Sequence, residues 1–371
     1  MDYHRQLGVS RTQFEGALEH FERRQFRDLE YRSLPDYRSS LPRGTVLVEG
    51  DVVAGFPKIP RTLVLSEGVP RYFDGELAVE EKLNGYNVRV ARVADGRTLA
   101  FTRSGIVCPY TTHKVEAMLD GLDAFFEDHP DLQLCGELYG PENPYTVHDY
   151  PDVDSLAFAA FDIRDCGSGD PLPIAKRKDL CRQYDVPEVP FHGVYTPDEA
   201  VDALPDLLDD LDAEGREGIV MKSLDDTQHL KYTTSAANQD DLAHAFDLPF
   251  DYGQAFLFRR IVREGFQSIE WGEDDADRRK RARDLGESIL LPMLDTIERV
   301  RDGETVGEEH TVRAPPDVVD ELLAHLEGMG LTLRIDEDRE DDGERVVTFV
   351  KETRATNDKI SAYLDGQIVR E

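Results

Sequence analysis

Between about residues 60 and 235, apolar and polar positions alternate in short runs bounded by turn residues, and three longer stretches repeat at helical spacing instead. The alternation predicts strands at 77–82, 86–93, 97–102, 132–138, 155–163, 217–222 and 228–232. The helical recurrence predicts helices at 113–127, 174–183 and 197–213. Pairs such as Asp95-Gly96 join successive strands as antiparallel neighbours. The expected class is α+β, with twisted antiparallel sheets and flanking helices, rather than a doubly wound parallel sheet.

The flanks read differently. Ser10 with Gln13 resembles a capping box, and Phe14, Leu18 and Phe21 keep helical spacing, so a helix is expected from Ser10 to about Arg32. Short strands are expected at 45–49 and 51–54 around Gly50, and another at 61–65. Residues 236–301 read as mostly helical. They include a charged run at 275–284, expected to be a solvated helix face, and the apolar Ile289-Leu-Leu-Pro-Met-Leu294, a surface for packing or self-association. A small α/β unit closes the chain: helix 316–328, strands 331–335 and 345–351, helix 355–364. The expected division is an N-terminal module at 1–60, a central domain at 61–235, a helical domain at 236–309 and a C-terminal α/β domain at 310–371.

Charge alters this picture more than composition does. Aspartate and glutamate number 76 against 43 lysines and arginines, a formal net charge of −33 spread along all 371 residues. Only ten of the bases are lysine. Such a chain repels itself in dilute buffer and is relieved by salt, because the Debye length falls to roughly 3 Å at 1 M. We read the charge as adaptation to a cytoplasm with molar salt. No apolar run reaches the roughly 18 residues of a membrane span, and Met1 to Gln6 lacks a signal core, so a cytoplasmic protein is expected. Cys108, Cys135, Cys166 and Cys181 have no metal-site spacing and are expected to be reduced thiols. There is no phosphate-loop motif, and Asp338–Gly343 lacks the closing glutamate of a calcium loop, leaving an acidic hairpin turn.

With lysine scarce, its placement is informative. In Glu81-Lys-Leu-Asn-Gly-Tyr-Asn87, Lys82 falls between two expected strands, at what reads as a hairpin corner whose Asn84-Gly85 tolerates positive φ. An amine held there can serve as a nucleophile if burial or nearby cations favour its neutral form; a surface lysine on a hairpin is the alternative. Further short motifs follow in order: Thr102-Arg-Ser-Gly105, Cys135-Gly-Glu-Leu-Tyr-Gly140, Phe158-Ala-Ala-Phe-Asp-Ile163, Glu217-Gly-Ile-Val-Met-Lys222 and Leu230-Lys-Tyr232.

This ordered set, over about residues 75–235, resembles the covalent nucleotidyltransferase superfamily of ATP-dependent polynucleotide ligases and capping enzymes. With Gly55-Phe-Pro-Lys-Ile-Pro-Arg61 upstream and a helical then α/β C-terminal third, it looks like the archaeal homodimeric RNA ligases. The resemblance implies an ATP-dependent RNA ligase that passes through lysyl-AMP and adenylated RNA, with a tendency to circularise single strands. Lys82 would attack the α-phosphate, with Lys222 and Lys231 supplying positive charge to the transition state. Glu217 would hold Mg²⁺ or Mn²⁺. Glu137 would accept hydrogen bonds from the ribose hydroxyls, with Arg103 nearby. Phe161 would stack on adenine and Glu80 would read its amino edge. Each has a plainer alternative: a Glu137–Arg103 ion pair, a core phenylalanine, strand-end lysines. The family's K-x-D-G becomes K-x-N-G here, so Asn84 lacks the usual carboxylate. Implied partners are ATP, single-stranded RNA ends and a second copy of the chain. Lys351 is expected at a solvated strand end, with a phosphate contact near the active site as the alternative. A DNA ligase, a capping guanylyltransferase or a non-catalytic nucleotide-binding module are the competing readings. The first two usually append a β-barrel where this chain reads helical.

Overall fold

The computed structural model describes residues 2–368 apart from Ser39, Ala94, Val147 and Asp149. An N-terminal antiparallel meander comprises β1 (Glu22–Phe26), β2 (Leu29–Ser33), β3 (Val46–Val48) and β4 (Asp51–Val53). The central region contributes β5 (Leu77–Glu81), β6 (Tyr86–Arg92), β7 (Thr98–Thr102), β8 (Leu132–Tyr139), β9 (Ala157–Asp165), β10 (Phe191–Tyr195), β11 (Gly218–Ser223) and β12 (His229–Thr233). These form two four-stranded antiparallel sheets, ordered β10-β5-β11-β12 and β7-β6-β8-β9. The C-terminal sheet is ordered β13-β15-β14, from β13 (Gly307–Ala314), β14 (Leu333–Asp341) and β15 (Glu344–Glu352). The α+β expectation stands.

Helices cover the outer face of each central sheet. Leu65–Tyr72 and Pro197–Ala213 bury Val69, Leu204 and Leu208 against Val79, Ile219 and Met221. Pro109–Met118, Leu122–Asp128 and Ile174–Gln183 bury Val115, Phe125 and Leu180 against Val88, Leu134 and Ile163. Because strand side chains alternate, the intervening residues are turned to the opposite faces, between the two sheets. Glu80, Asn87, Glu137, Val220, Lys222, His229 and Lys231 all line a cavity there of about 560 Å³. The fold sorts apolar residues under the helices and chemistry-bearing residues into the cleft.

Arg89 ties the N-terminal meander to this core. Fully buried, it donates to the carbonyls of Ala54, Gly44 (2.7 Å) and Thr102 (3.3 Å), and burial pushes it down to about 10. Helices Ser235–Asp247, Gln254–Glu270 and Asp275–Arg301 follow β12. The C-terminal sheet carries helix Pro316–Gly328, whose Val319 and Leu322 pack with Phe349 and with Cys108 and Tyr110 of the central domain. Among the described residues, no helix is long and apolar enough to cross a membrane.

Several expectations need correction. The helix from Ser10 stops at Leu18, because 22–33 forms the β1–β2 hairpin, turning at Arg27 with φ 53°. The expected strand at 61–65 is one backbone bridge from Arg61 to Lys231, and Leu65 starts a helix. The 113–127 helix breaks at Gly121 into two shorter ones. Strands β10 and β13 were not expected. Lys82 is not at a hairpin corner: both edges of β5 are occupied by β10 and β11, and β6 belongs to the other sheet. Nor does Asn84 or Gly85 adopt positive φ. Gly85 is required by proximity, since a Cβ there would lie 2.3 Å from the Leu138 carbonyl oxygen.

Candidate active site

Lys82 is the first residue past β5, where the chain crosses from one sheet to the other. Its amide donates to the Gly218 carbonyl (2.8 Å), and its ammonium donates to the Glu217 carboxylate in a short contact. Gly218 adopts φ 135° with its α-carbon against Tyr232, a geometry that leaves Glu217 at the start of β11 facing Lys82. The lysine side chain is 22% exposed and lines the cavity.

Beyond Lys82 the wall of the cavity is a closed charge network. Glu80 is 1% exposed and takes both terminal nitrogens of Arg177, which is itself wholly buried. The ammonium of Lys222 sits 3.1 Å from Glu80, 3.1 Å from Asp162 and 3.5 Å from Asp226. Burial opposes each of these charges, but Lys222 and Arg177 hold Glu80 below its usual range, and the three carboxylates hold Lys222 above its own. Burial and the neighbouring Asp162 raise Asp226 to about 6 despite Lys222. Arg177 and Lys222 also both donate to the Phe161 carbonyl. Two cations therefore position the backbone of Phe161, whose half-buried ring meets Phe56 edge-on at 5.2 Å. His229, Asp226 and Asp162 have the donor types of a metal site, but the ammonium of Lys222 lies among them.

The opposite end of the cavity is positive and poorly neutralised. Burial, then Lys82 and Arg61, push Lys231 down to about 8. Burial raises Glu137 to about 7 against the pull of Lys82. Arg103 lies exposed on the rim, and among the described residues no ion pair joins it to Glu137. The structure thus gathers Lys82, Glu80, Arg103, Glu137, Phe161, Lys222 and Lys231 around one cavity, with Glu217 bonded to Lys82 at its edge. Lys222 differs from the other lysines, because its charge is compensated by buried carboxylates.

Other contributors escaped the sequence reading. Arg177 stands in Lys176-Arg-Lys178, which looks like a solvated helix face. Asp162 and Asp226 are separated by over sixty positions, and nothing local marks them as partners. Phe56 lies within the 55–61 segment already singled out, so that segment carried a usable signal. Lys351 is not at a solvated strand end: it is 8% exposed, with its ammonium 5.6 Å from the ring centre of Tyr145, a cavity residue. Met329 reaches the same cavity from the C-terminal domain.

Comparison with known proteins places these features among relatives. Residues 75–233 match the family model described as RNA ligase, and residues 244–367 match that of the ligase Pab1020 C-terminal region. An uncharacterized protein of Methanocaldococcus jannaschii is 38% identical over 94% of this chain and 92% of its own length. A solved archaeal ATP-dependent RNA ligase is 38% identical and superposes over the whole of both chains with a TM-score of 0.92. A structure from Aquifex aeolicus, provisionally described as an ATP-dependent DNA ligase, is 26% identical over 97% of this chain with a TM-score of 0.90.

Proposed function

We propose that this chain, which belongs to the archaeal ATP-dependent RNA ligase family, joins RNA 5′-phosphate and 3′-hydroxyl ends through lysyl-AMP and adenylated-RNA intermediates. One observation carries the reading: Lys82 is held against Glu217 on the wall of a cavity that also presents Glu80, Phe161, Glu137 and Lys231.

In the first step the free base of Lys82 forms a bond to the α-phosphorus of ATP while the bond to the β-phosphate oxygen breaks. Lys231, on the same inward face of β12 as His229, supports the charge that develops on the phosphate. Phe161 stacks on adenine, and Glu80 accepts from its amino group. Glu80 can do so only from a fixed position, which its ion pairs to Arg177 and Lys222 provide. Lys222 is in this reading a positioning residue rather than a phosphate ligand, because its charge is already matched. Glu137 accepts from the ribose hydroxyls, and Arg103 approaches sugar or phosphate from the rim. Glu217, bonded to Lys82, offers carboxylate oxygens suited to a hard divalent cation. A Mg²⁺ or Mn²⁺ ion held there would withdraw charge from the triphosphate.

The AMP group then passes to a 5′-phosphate and is displaced by a 3′-hydroxyl. Holding both ends of one strand makes the joining nearly intramolecular, which suits circularisation. On this reading the chain divides into an N-terminal module at 1–60, a nucleotidyltransferase domain at 61–235, a helical domain at 236–309 and a C-terminal α/β domain at 310–371. Exposed Phe258, Ile261, Leu290, Leu291 and Leu294 support self-association through the helical region into a homodimer. The acidic surface suits a cytoplasm of high salt.

Intact mass after exposure to ATP and Mg²⁺ tests the reading: the wild type gains the mass of AMP, and Lys82→Ala gains none. The resemblance to the Aquifex aeolicus structure keeps DNA ends as a second reading. Supplying preloaded protein with matched RNA and DNA ends decides between them.

A further inference from the structure

Among the described residues, Arg61 and Arg263 meet at Thr233 and neither carries a carboxylate partner. Arg61 donates to the Thr233 hydroxyl at 2.6 Å, and Arg263 donates to the same hydroxyl at 3.0 Å and to the Asn238 side-chain oxygen at 2.9 Å. Among the described residues, no carboxylate oxygen lies within 4.0 Å of either guanidinium. Arg263 is 8% exposed, and its Nε has no hydrogen-bond partner. Burial and mutual repulsion with Arg61 and Arg260 push Arg263 down to about 10, and burial lowers Arg61. The nearby Arg260 is different, being paired to Asp241 at 2.6 Å. Two adjacent uncompensated guanidiniums are costly unless an anion joins them.

Their position suggests which anion. On β12 the inward positions are His229, Lys231 and Thr233. His229 stands at the Glu80–Lys222 end, where the adenine is read, and Lys231 stands beside Lys82. Thr233 is the next inward position, about 7 Å further along the strand. Arg61 is brought there by its backbone bridge to Lys231, and Arg263 by helix Gln254–Glu270. A triphosphate that leaves adenine and places its α-phosphate at Lys82 continues toward this pair.

We propose that Arg61 and Arg263, gathered on Thr233, seat the β,γ-diphosphate of ATP and hence the pyrophosphate leaving group. The inference rests on the ligase reading and deepens it. As the Lys82 Nζ–P bond forms, the bond between the α-phosphorus and the β-phosphate oxygen breaks, and its electron pair leaves with pyrophosphate. The surplus proton on nitrogen departs through Glu217, its hydrogen-bond partner. The negative charge that grows on the leaving group meets two fork-shaped donors built for phosphate oxygens. Arg263 lies outside the central domain, so the helical region completes the site for this step.

The test uses the full chain in molar KCl with Mg²⁺, comparing the wild type with Arg61→Gln, Arg263→Gln and Arg61→Lys. Preloaded lysyl-AMP protein is mixed with inorganic pyrophosphate, and ATP formation is followed against pyrophosphate concentration. Each Gln variant should need about tenfold more pyrophosphate, the loss of one charged contact. Arg61→Lys should recover part of that loss. Transfer of AMP from the same preloaded protein to 5′-phosphorylated RNA should fall far less. An unchanged pyrophosphate dependence overturns the proposal. So does an equal loss of transfer to RNA, which would assign the arginines to the RNA phosphate or to the fold. If Arg263→Gln does not fold, the half-buried Arg61 variants decide alone. If the wild type takes up no AMP, the ligase reading fails first. Calorimetric titration with pyrophosphate then still decides the anion seat, since equal heats from the wild type and Arg61→Gln refute it.

Discussion

Replacing Lys222 with methionine separates a phosphate ligand from a buried organiser. The methionine keeps most of the volume, but it leaves Glu80, Asp162 and Asp226 without the ammonium that lies within 3.5 Å of all three. Arg177 and Arg164 still pair with Glu80 and Asp162, while Asp226 keeps only His229. Removing one partner of a buried ion pair costs about 3–5 kcal/mol, which at roughly 2–4 °C per kcal/mol lowers the melting temperature by about 10 °C. The loss should depend on pH. Without Lys222 each of the three folded-state carboxylates titrates higher than in the wild type, so the folded variant binds more protons than the folded wild type, and acid stabilises it relative to the wild type. The stability gap should therefore narrow as pH falls from 8 toward 6, the region where Asp226 titrates. Thermal melts of both proteins at fixed high salt across that range supply the readout. A variant that melts within about 2 °C of the wild type yet takes up no AMP would refute the reasoning and make Lys222 a direct phosphate ligand.

Lys231 stays charged only below about 8, so AMP loading should show a falling limb near that pH. Lys231→Arg, charged throughout, should lose that limb in a stopped-time labelling assay; persistence of the limb assigns it elsewhere. Gly85→Ala drives a Cβ to 2.3 Å from the Leu138 carbonyl oxygen. It should cost at least about 2 kcal/mol in denaturant unfolding and reduce AMP loading with it, since the backbone next to Lys82 must shift; a variant of wild-type stability contradicts the contact. Because of the net charge of −33, melting temperature should climb steadily from 0.1 M to molar KCl, where the Debye length shrinks from about 10 to about 3 Å. A salt-independent melt would remove self-repulsion from the account.

Local pattern by itself determined the strands and helices whose signal lies in consecutive residues. Helices Ile174–Gln183, Pro197–Ala213 and Pro316–Gly328 fall where the apolar spacing puts them. So does the alternation that turns Lys222 and Lys231 to one face and Met221 and Tyr232 to the other. The order of short motifs, through its resemblance to the nucleotidyltransferases, also singled out Lys82 and Glu217. Tertiary structure decided what those residues meet. A strand carries no information about which neighbour will take its edges, so the sequence suggested a β5–β6 hairpin where the protein has a crossing between sheets. Strand β10 has a mixed, half-exposed pattern, and only pairing with β5 gives it away. Charge compensation is equally non-local: Arg177 looks like a surface residue until it is buried against Glu80, and the charge of Lys222 looks unmatched until three carboxylates surround it. Electrostatic energy depends on distance and burial, and both are set by chain segments tens to hundreds of positions apart.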